Sequence, residues 1–199
     1  MPVDDLFSLT DTPLACGGSP ARVMGCDLLP FSIWHLWLLR SYESPYAEGR
    51  PVAGSDVATA ALFCSRTREE VGELLSDTRK LGKTIGSMVE AWDKMDRDDQ
   101  QTQSKAMRGY IEHGMSAPEF WTNPDDDPVG DRQRCPGEWH LVLQLIQSGV
   151  CKTESEAWDY PYNRAMCWVA VIGETKGSKD YVDKLDREQI DMVNNGNTD

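Results

Sequence analysis

The pentapeptide Trp34-His35-Leu36-Trp37-Leu38 returns, with one change, as Trp139-His140-Leu141-Val142-Leu143 about half a chain further on. The 199 residues hold only three histidines and seven tryptophans, so two Trp-His-Leu-x-Leu runs constrain the fold more than any other feature. Their surroundings recur as well. Each run follows a proline (Pro30, Pro136), stays apolar (Leu39; Leu145 and Ile146) and reaches a serine (Ser41, Ser148). Each is then followed by a helix rich in small residues, with Ala58, Ala60, Ala61 and Cys64 in the first half and Ala165, Cys167 and Ala170 in the second. The pattern reads as a duplicated two-helix unit, which is architecture rather than catalysis. Convergence of two unrelated core helices on similar residues is the alternative.

Helical signals dominate the rest of the chain. Apolar residues from Phe31 to Tyr42 occupy every side of a helical projection, and Ser44-Pro45 ends that helix because the residue before proline is pushed out of helical geometry. Ser55 is the expected N-cap of a helix running to about Cys64. Thr67-Arg68-Glu69-Glu70, Ser116-Ala117-Pro118-Glu119 and Thr153-Glu154-Ser155-Glu156 are capping boxes, in which a hydroxyl and a carboxylate each satisfy a free backbone donor. After Gly82, the positions Ile85, Met88, Val89, Trp92 and Met95 repeat at three- and four-residue spacing and make an apolar helix face that needs cover. The polar run from Asp96 to Lys105 is a solvated helix or a linker, with contact restored at Met107, Tyr110 and Ile111. Residues 123–137 form an acidic loop, and Pro161 separates a short helix ending near Trp158 from one running through Ala165 to Gly173.

No strand is predicted. The expected fold is all-α: an irregular N-terminal arm over residues 1–26, a helical domain over 27–175 with two pseudo-repeated helix-pair units at about 30–95 and 116–175, and a polar tail over 176–199.

A net charge of −13 is spread evenly, with 16 acidic against 10 basic residues up to Gln100 and 17 against 10 beyond it. No basic stripe exists to neutralise phosphates by releasing counterions, so nucleic acid is not an expected partner. An acidic surface also disfavours anionic lipid. The longest apolar stretch, Leu28 to Leu39, is far shorter than the roughly 20 residues of a membrane span. With no basic start or apolar segment of a secretory signal, the expected place is the cytosol, where cysteines stay reduced. The expected partner is another protein.

Reaction chemistry is poorly represented. Gly82-Lys83-Thr84 lacks the upstream glycine of a phosphate loop, since Asp77 stands there. Cys135, His140, Cys151 and Cys167, or Cys16 and Cys26, lack the close Cys-x2-Cys spacing of a zinc knuckle. Pairing Cys64 or Cys167 with His35 or His140 would use thiols on apolar helices, where they are inert. No catalytic residue, metal or cofactor is therefore expected. Trp34, Trp92, Trp139 and Trp168 fall at core-like positions. Trp37, Trp121 and Trp158 are less easily assigned to one face and are the candidate partner-binding residues, since interfaces are enriched in aromatics at the margin of apolar surface.

The run from Pro136 to Leu143, followed by Gly149 and by Ser155-Glu156-Ala157-Trp158-Asp159-Tyr160-Pro161, resembles helical proteins encoded among the tail genes of tailed bacteriophages. It looks like a tail assembly chaperone, in which a helix, a glycine and an x-Glu-Ala-x-Asp-x-Pro turn precede an alanine-rich helix. Pro30-Phe31-Ser32-Ile33 and Ser44-Pro45-Tyr46 look similar to the same family. The resemblance implies a small, soluble helical protein in the cytoplasm of an infected bacterium. It would bind the tape-measure protein, keep that protein's apolar helices from aggregating, and leave before the tail is complete. A virion structural or connector protein and an acidic host-directed interaction protein are the alternative readings.

Overall fold

A computed structural model describes residues 21–116 and 136–175, and 71% of the described residues are helical. The fold is all-α. The chain divides into two compact units, Met1–Met115 and Ser116–Asp199.

The described part of the first unit starts with a hairpin where the sequence predicts the end of an irregular arm. Strands β1 (Arg22–Val23) and β2 (Cys26–Asp27) pair antiparallel, and both turn residues, Met24 and Gly25, have positive φ. Two residues per strand leave no alternation to read. The hairpin is held from outside, because Val23 is fully buried and Met24 N–H donates to Gln103 Oε1 at 2.7 Å. Its Arg22–Asp27 ion pair is exposed and contributes little.

Helix α1 (Ile33–Ser41) begins at Ser32 with a capping box in which His35 takes the place usual for Glu or Gln. It ends in a Schellman motif: Glu43 N–H donates to Arg40 O and Ser44 N–H to Leu39 O, with Glu43 at φ 50 where glycine is usual. Pro45 then starts the four-residue helix α2 (Pro45–Glu48) at a position where its missing N–H costs nothing.

Helix α3 (Gly54–Cys64) is the centre of the unit. Val57, Ala58 and the whole run from Ala60 to Cys64 are buried, and α3 packs on α1, on α5 (Thr78–Asp93) and on α6 (Arg97–Gly114). Small residues allow the close approach. A Cβ on Gly54 would lie 2.4 Å from the Trp92 indole of α5. The cap of α3 differs from expectation: the helix starts one residue before Ser55, and Ala53 N–H donates to Asp56 Oδ2 at 2.7 Å.

Helix α4 (Arg68–Ser76) carries the Thr67 capping box expected from sequence, with Glu70 N–H donating to Thr67 Oγ1 and Thr67 N–H to Glu70 Oε2. Replacing Thr67 with Ala should cost about 1 kcal/mol, because an orphan amide of the first turn loses its acceptor. A thermal or urea melt reads this directly, and an unchanged midpoint would show that water replaces the hydroxyl at no cost.

Asp77 closes α4 and caps α5, so Gly82 lies inside a helix rather than before one. The polar run after Asp96 is the start of α6. This helix packs on α3 and β1, burying Met107, Tyr110 and Ile111. Tyr110 donates its hydroxyl to Leu29 O at 2.6 Å, while Leu29 N–H donates to Cys64 O. The segment entering α1 is thereby tied to both α3 and α6.

In the second unit, α7 (Gly137–Gln147), α8 (Glu154–Trp158) and α9 (Tyr162–Thr175) are described, with α7 packed on α8 and α9. Leu141, Val142, Leu145, Cys151, Ala157, Trp158 and Ala165 are buried. Gly149, at φ 76, ends α7 as expected, and α9 starts directly after Pro161. Thr153 caps α8, but the Glu156 carboxylate accepts from Lys152 N–H rather than from Thr153 N–H.

Both units contain a helix, a short helix and a longer helix in that order, yet the repeated letters do not share environments. His35 is buried and His140 exposed; Leu38 is buried and Leu143 is 50% exposed. Trp34 packs on a buried cluster, whereas Trp139 is 44% exposed. The buried stripe of α7, Glu138, Leu141, Val142 and Leu145, is turned about the helix axis relative to that of α1.

Candidate functional site

Leu38 of α1, Leu62 and Phe63 of α3, and Val71 and Leu74 of α4 form one buried cluster. Six larger apolar side chains sit on it without being buried themselves: Trp34 and Trp37 of α1, Leu75 of α4, and Leu81, Ile85 and Met88 of α5. Their spacing explains the arrangement. Trp34 and Trp37 stand one turn apart on α1 and stack at 4.8 Å with their planes 24° from parallel. Leu81, Ile85 and Met88 follow i, i+4, i+7 spacing, so they form one stripe along α5. No residue of α5 is fully buried, and its whole apolar stripe is shared between the core and solvent.

A groove of about 220 Å³ adjoins the same stripe and is lined chiefly by Leu39, Tyr42, Phe63, Leu81 and Ile85. Two of its polar lining groups, Asp56 and Thr59, are engaged locally. The Asp56 carboxylate accepts from Ala53 N–H, and the Thr59 hydroxyl donates to Ser55 O. What the groove offers is apolar contact. Exposed Arg79, Lys80 and Lys83 flank the α5 side, and exposed Glu69, Glu70 and Glu73 the α4 side, so charges of both signs border this face.

Among the titratable groups with shifted acidity, Cys64 and His35 belong to the first unit. Burial pushes the Cys64 thiol up to about 12 and the His35 imidazole down to about 4. Cys64 is therefore a neutral packing residue at physiological pH, beside the Tyr110 hydroxyl and without nucleophilic character. Burial also raises Cys151 and Cys167. Among the described residues, no three His, Cys, Asp or Glu side chains gather around a common point, and no helix is long and apolar enough to cross a membrane.

The three candidate tryptophans fall in three different places. Trp37 belongs to the half-covered face. Trp121 lies outside the described residues. Trp158 is only 4% exposed, with its Nε1–H donating to Glu154 Oε1 and its ring edge-on to Trp139 at 4.9 Å, so within its unit it packs rather than presents surface. Trp139, expected at a core position, is the more exposed member of that pair. The α5 stripe is visible in the sequence as a face needing cover, but its partial exposure is not, because spacing gives direction and not the amount of cover.

No protein-family model, curated protein or solved structure matches the chain. Fold and surface together define an all-α protein whose first unit carries a half-covered aromatic and aliphatic face.

Proposed function

We propose that the protein works by binding another protein through the half-covered face of its first unit, and that it serves as a tail assembly chaperone for the tape-measure protein of a tailed bacteriophage. The observation that carries the binding reading is the ring of Trp34, Trp37, Leu75, Leu81, Ile85 and Met88 around one buried cluster. Such a face receives an amphipathic helix by its i, i+4, i+7 anchors, and a methionine in it repacks around unlike segments. The tail setting comes from the resemblance at residues 136–161. A charge of −13 suits the task, since bodies of like charge stay apart while they hold an apolar client.

Co-expression with the tape-measure protein should raise that protein's solubility and yield a complex, and the chain should be missing from mature particles by mass spectrometry. Trp37→Ala should weaken the complex by about 2 kcal/mol, the cost of truncating an aromatic anchor at an interface. Unaltered binding together with a lower melting temperature would assign Trp37 to packing alone. Stoichiometric presence in finished tails would reject the chaperone reading in favour of a virion component.

A further inference from the structure

Helix α5 is the least secure long element of the first unit. Every other helix of nine or more residues there buries at least two residues, whereas α5, with 16, buries none. Its sequence also suits a helix poorly. Gly82 and Gly86 lie in its interior, both exposed, and an added Cβ at either would meet nothing within 4 Å, so no close approach requires them. Glycine gives up more backbone freedom in a helix than any other residue. Charge opposes the helix at both ends: Arg79 and Lys80 stand in its first turn and Glu90 and Asp93 in its last, each of the wrong sign for the backbone dipole.

The helix is held unevenly. At its C-terminal end the Trp92 indole packs against Gly54 of α3, and Gln100 Nε2 of α6 donates to Trp92 O at 2.9 Å. At its N-terminal end the side-chain hydrogen bonds are local: Asp77 Oδ1 accepts from Arg79 N–H and Lys80 N–H, and the Thr84 hydroxyl donates to Lys80 O. What holds residues 78–88 in place is the apolar contact of Leu81, Ile85 and Met88 with the buried cluster.

We infer that α5 is a lid built to open by melting: residues 78–88 leave the helix and come away from the cluster, with Trp92 as the fixed end, while α1, α3, α4 and α6 stay folded. The cluster of Leu38, Leu62, Phe63, Val71 and Leu74 then loses the cover that Leu81, Ile85 and Met88 provide, and the apolar face of the unit grows. Segments with few buried contacts open in this way at a free energy below that of global unfolding. The inference concerns the unit itself and stands whatever partner its face binds.

Hydrogen exchange of the full chain at neutral pH, followed by mass spectrometry and corrected for intrinsic rates, should show the amides of residues 82–88 exchanging at least about a hundredfold faster than those in the middle of α3 and α6. Low concentrations of urea should accelerate α3 steeply and residues 82–88 little, because melting one helix exposes far less surface than unfolding the unit. Gly82→Ala combined with Gly86→Ala should slow exchange of residues 82–88 by about five- to thirtyfold, since both changes favour the closed helix without touching a neighbour. Equal rates and equal urea slopes in α3 and α5 would mean that α5 opens only with the whole unit, and would overturn the inference. So would rapid exchange over residues 82–88 that the two alanines fail to slow, because the opening would then not be the melting of this helix.

Discussion

Lowering the pH from 7 to 5 is expected to remove about 2 kcal/mol of the stability of the first unit through His35 alone. The imidazole is 4% exposed at the third position of α1, and its Nδ1 accepts Ser32 N–H at 3.1 Å with the Ser32 hydroxyl at 3.2 Å. That leaves the ring proton on Nε2, which faces Arg66 O at 3.5 Å. Protonating Nδ1 would set two donors against each other inside a site lined by the Phe31 ring, where water cannot intervene. Burial accordingly holds the folded pKa at about 4, against 6.5 for the free side chain.

The sign follows from which state takes the proton. Below pH 6.5 the unfolded chain gains a proton that the folded chain refuses until about pH 4. The contribution is therefore complete above 6.5 and is lost progressively as pH falls towards 4, to a limit of about 3 kcal/mol. Carboxylates titrate mainly below pH 5, so urea melts at pH 7, 6 and 5 isolate the histidine. His35→Gln is the control, because glutamine at this position of a capping box still accepts the Ser32 amide and does not titrate. A variant whose stability falls as steeply as the parent's over that window would place the acid sensitivity elsewhere.

Local signals in this chain are legible, and non-local ones are not. The Thr67 box, the stop at Gly149 and the new start after Pro161 depend on atoms within four residues of each other, and each appears in the structure. The hairpin at Arg22–Asp27 escapes a sequence reading because its support comes from Gln103, far along the chain. Helix α6 resembles a linker in sequence because its first two turns are polar outside. What places it in the first unit is the burial of Met107, Tyr110 and Ile111 against α3, a tertiary contact. The candidate face is half legible. Periodicity gives the α5 stripe, but the rotation of a helix about its own axis decides whether a given Trp is core or rim. Trp139 and Trp158 show this, having exposures opposite to their expected roles.

Gly114→Ala is expected to cost about 3 kcal/mol, near the upper end of the usual range for overpacking. Gly114 is the last residue of α6, and a Cβ there would sit 2.4 Å from Phe31 Cβ and 2.6 Å from its Cγ. Neither atom is the far end of a flexible side chain. Phe31 is itself 4% exposed, edge-on to the Tyr110 ring at 5.8 Å and near His35, so its displacement would disturb the anchor that ties the entry of α1 to α6. Against this stands the ordinary gain of replacing a helical glycine with alanine, about 0.5 to 1 kcal/mol, which is too small to offset the clash. Gly109 lies in the same helix, exposed, and a Cβ there would meet nothing within 4 Å, so Gly109→Ala keeps only the gain and should raise stability by that amount. The pair of variants is read by urea melts under one condition, and their effects should have opposite signs. If both stabilise, α6 and Phe31 are further apart in solution than the close approach at Gly114 requires, and the tie between α6 and the entry of α1 is looser than its hydrogen bonds suggest.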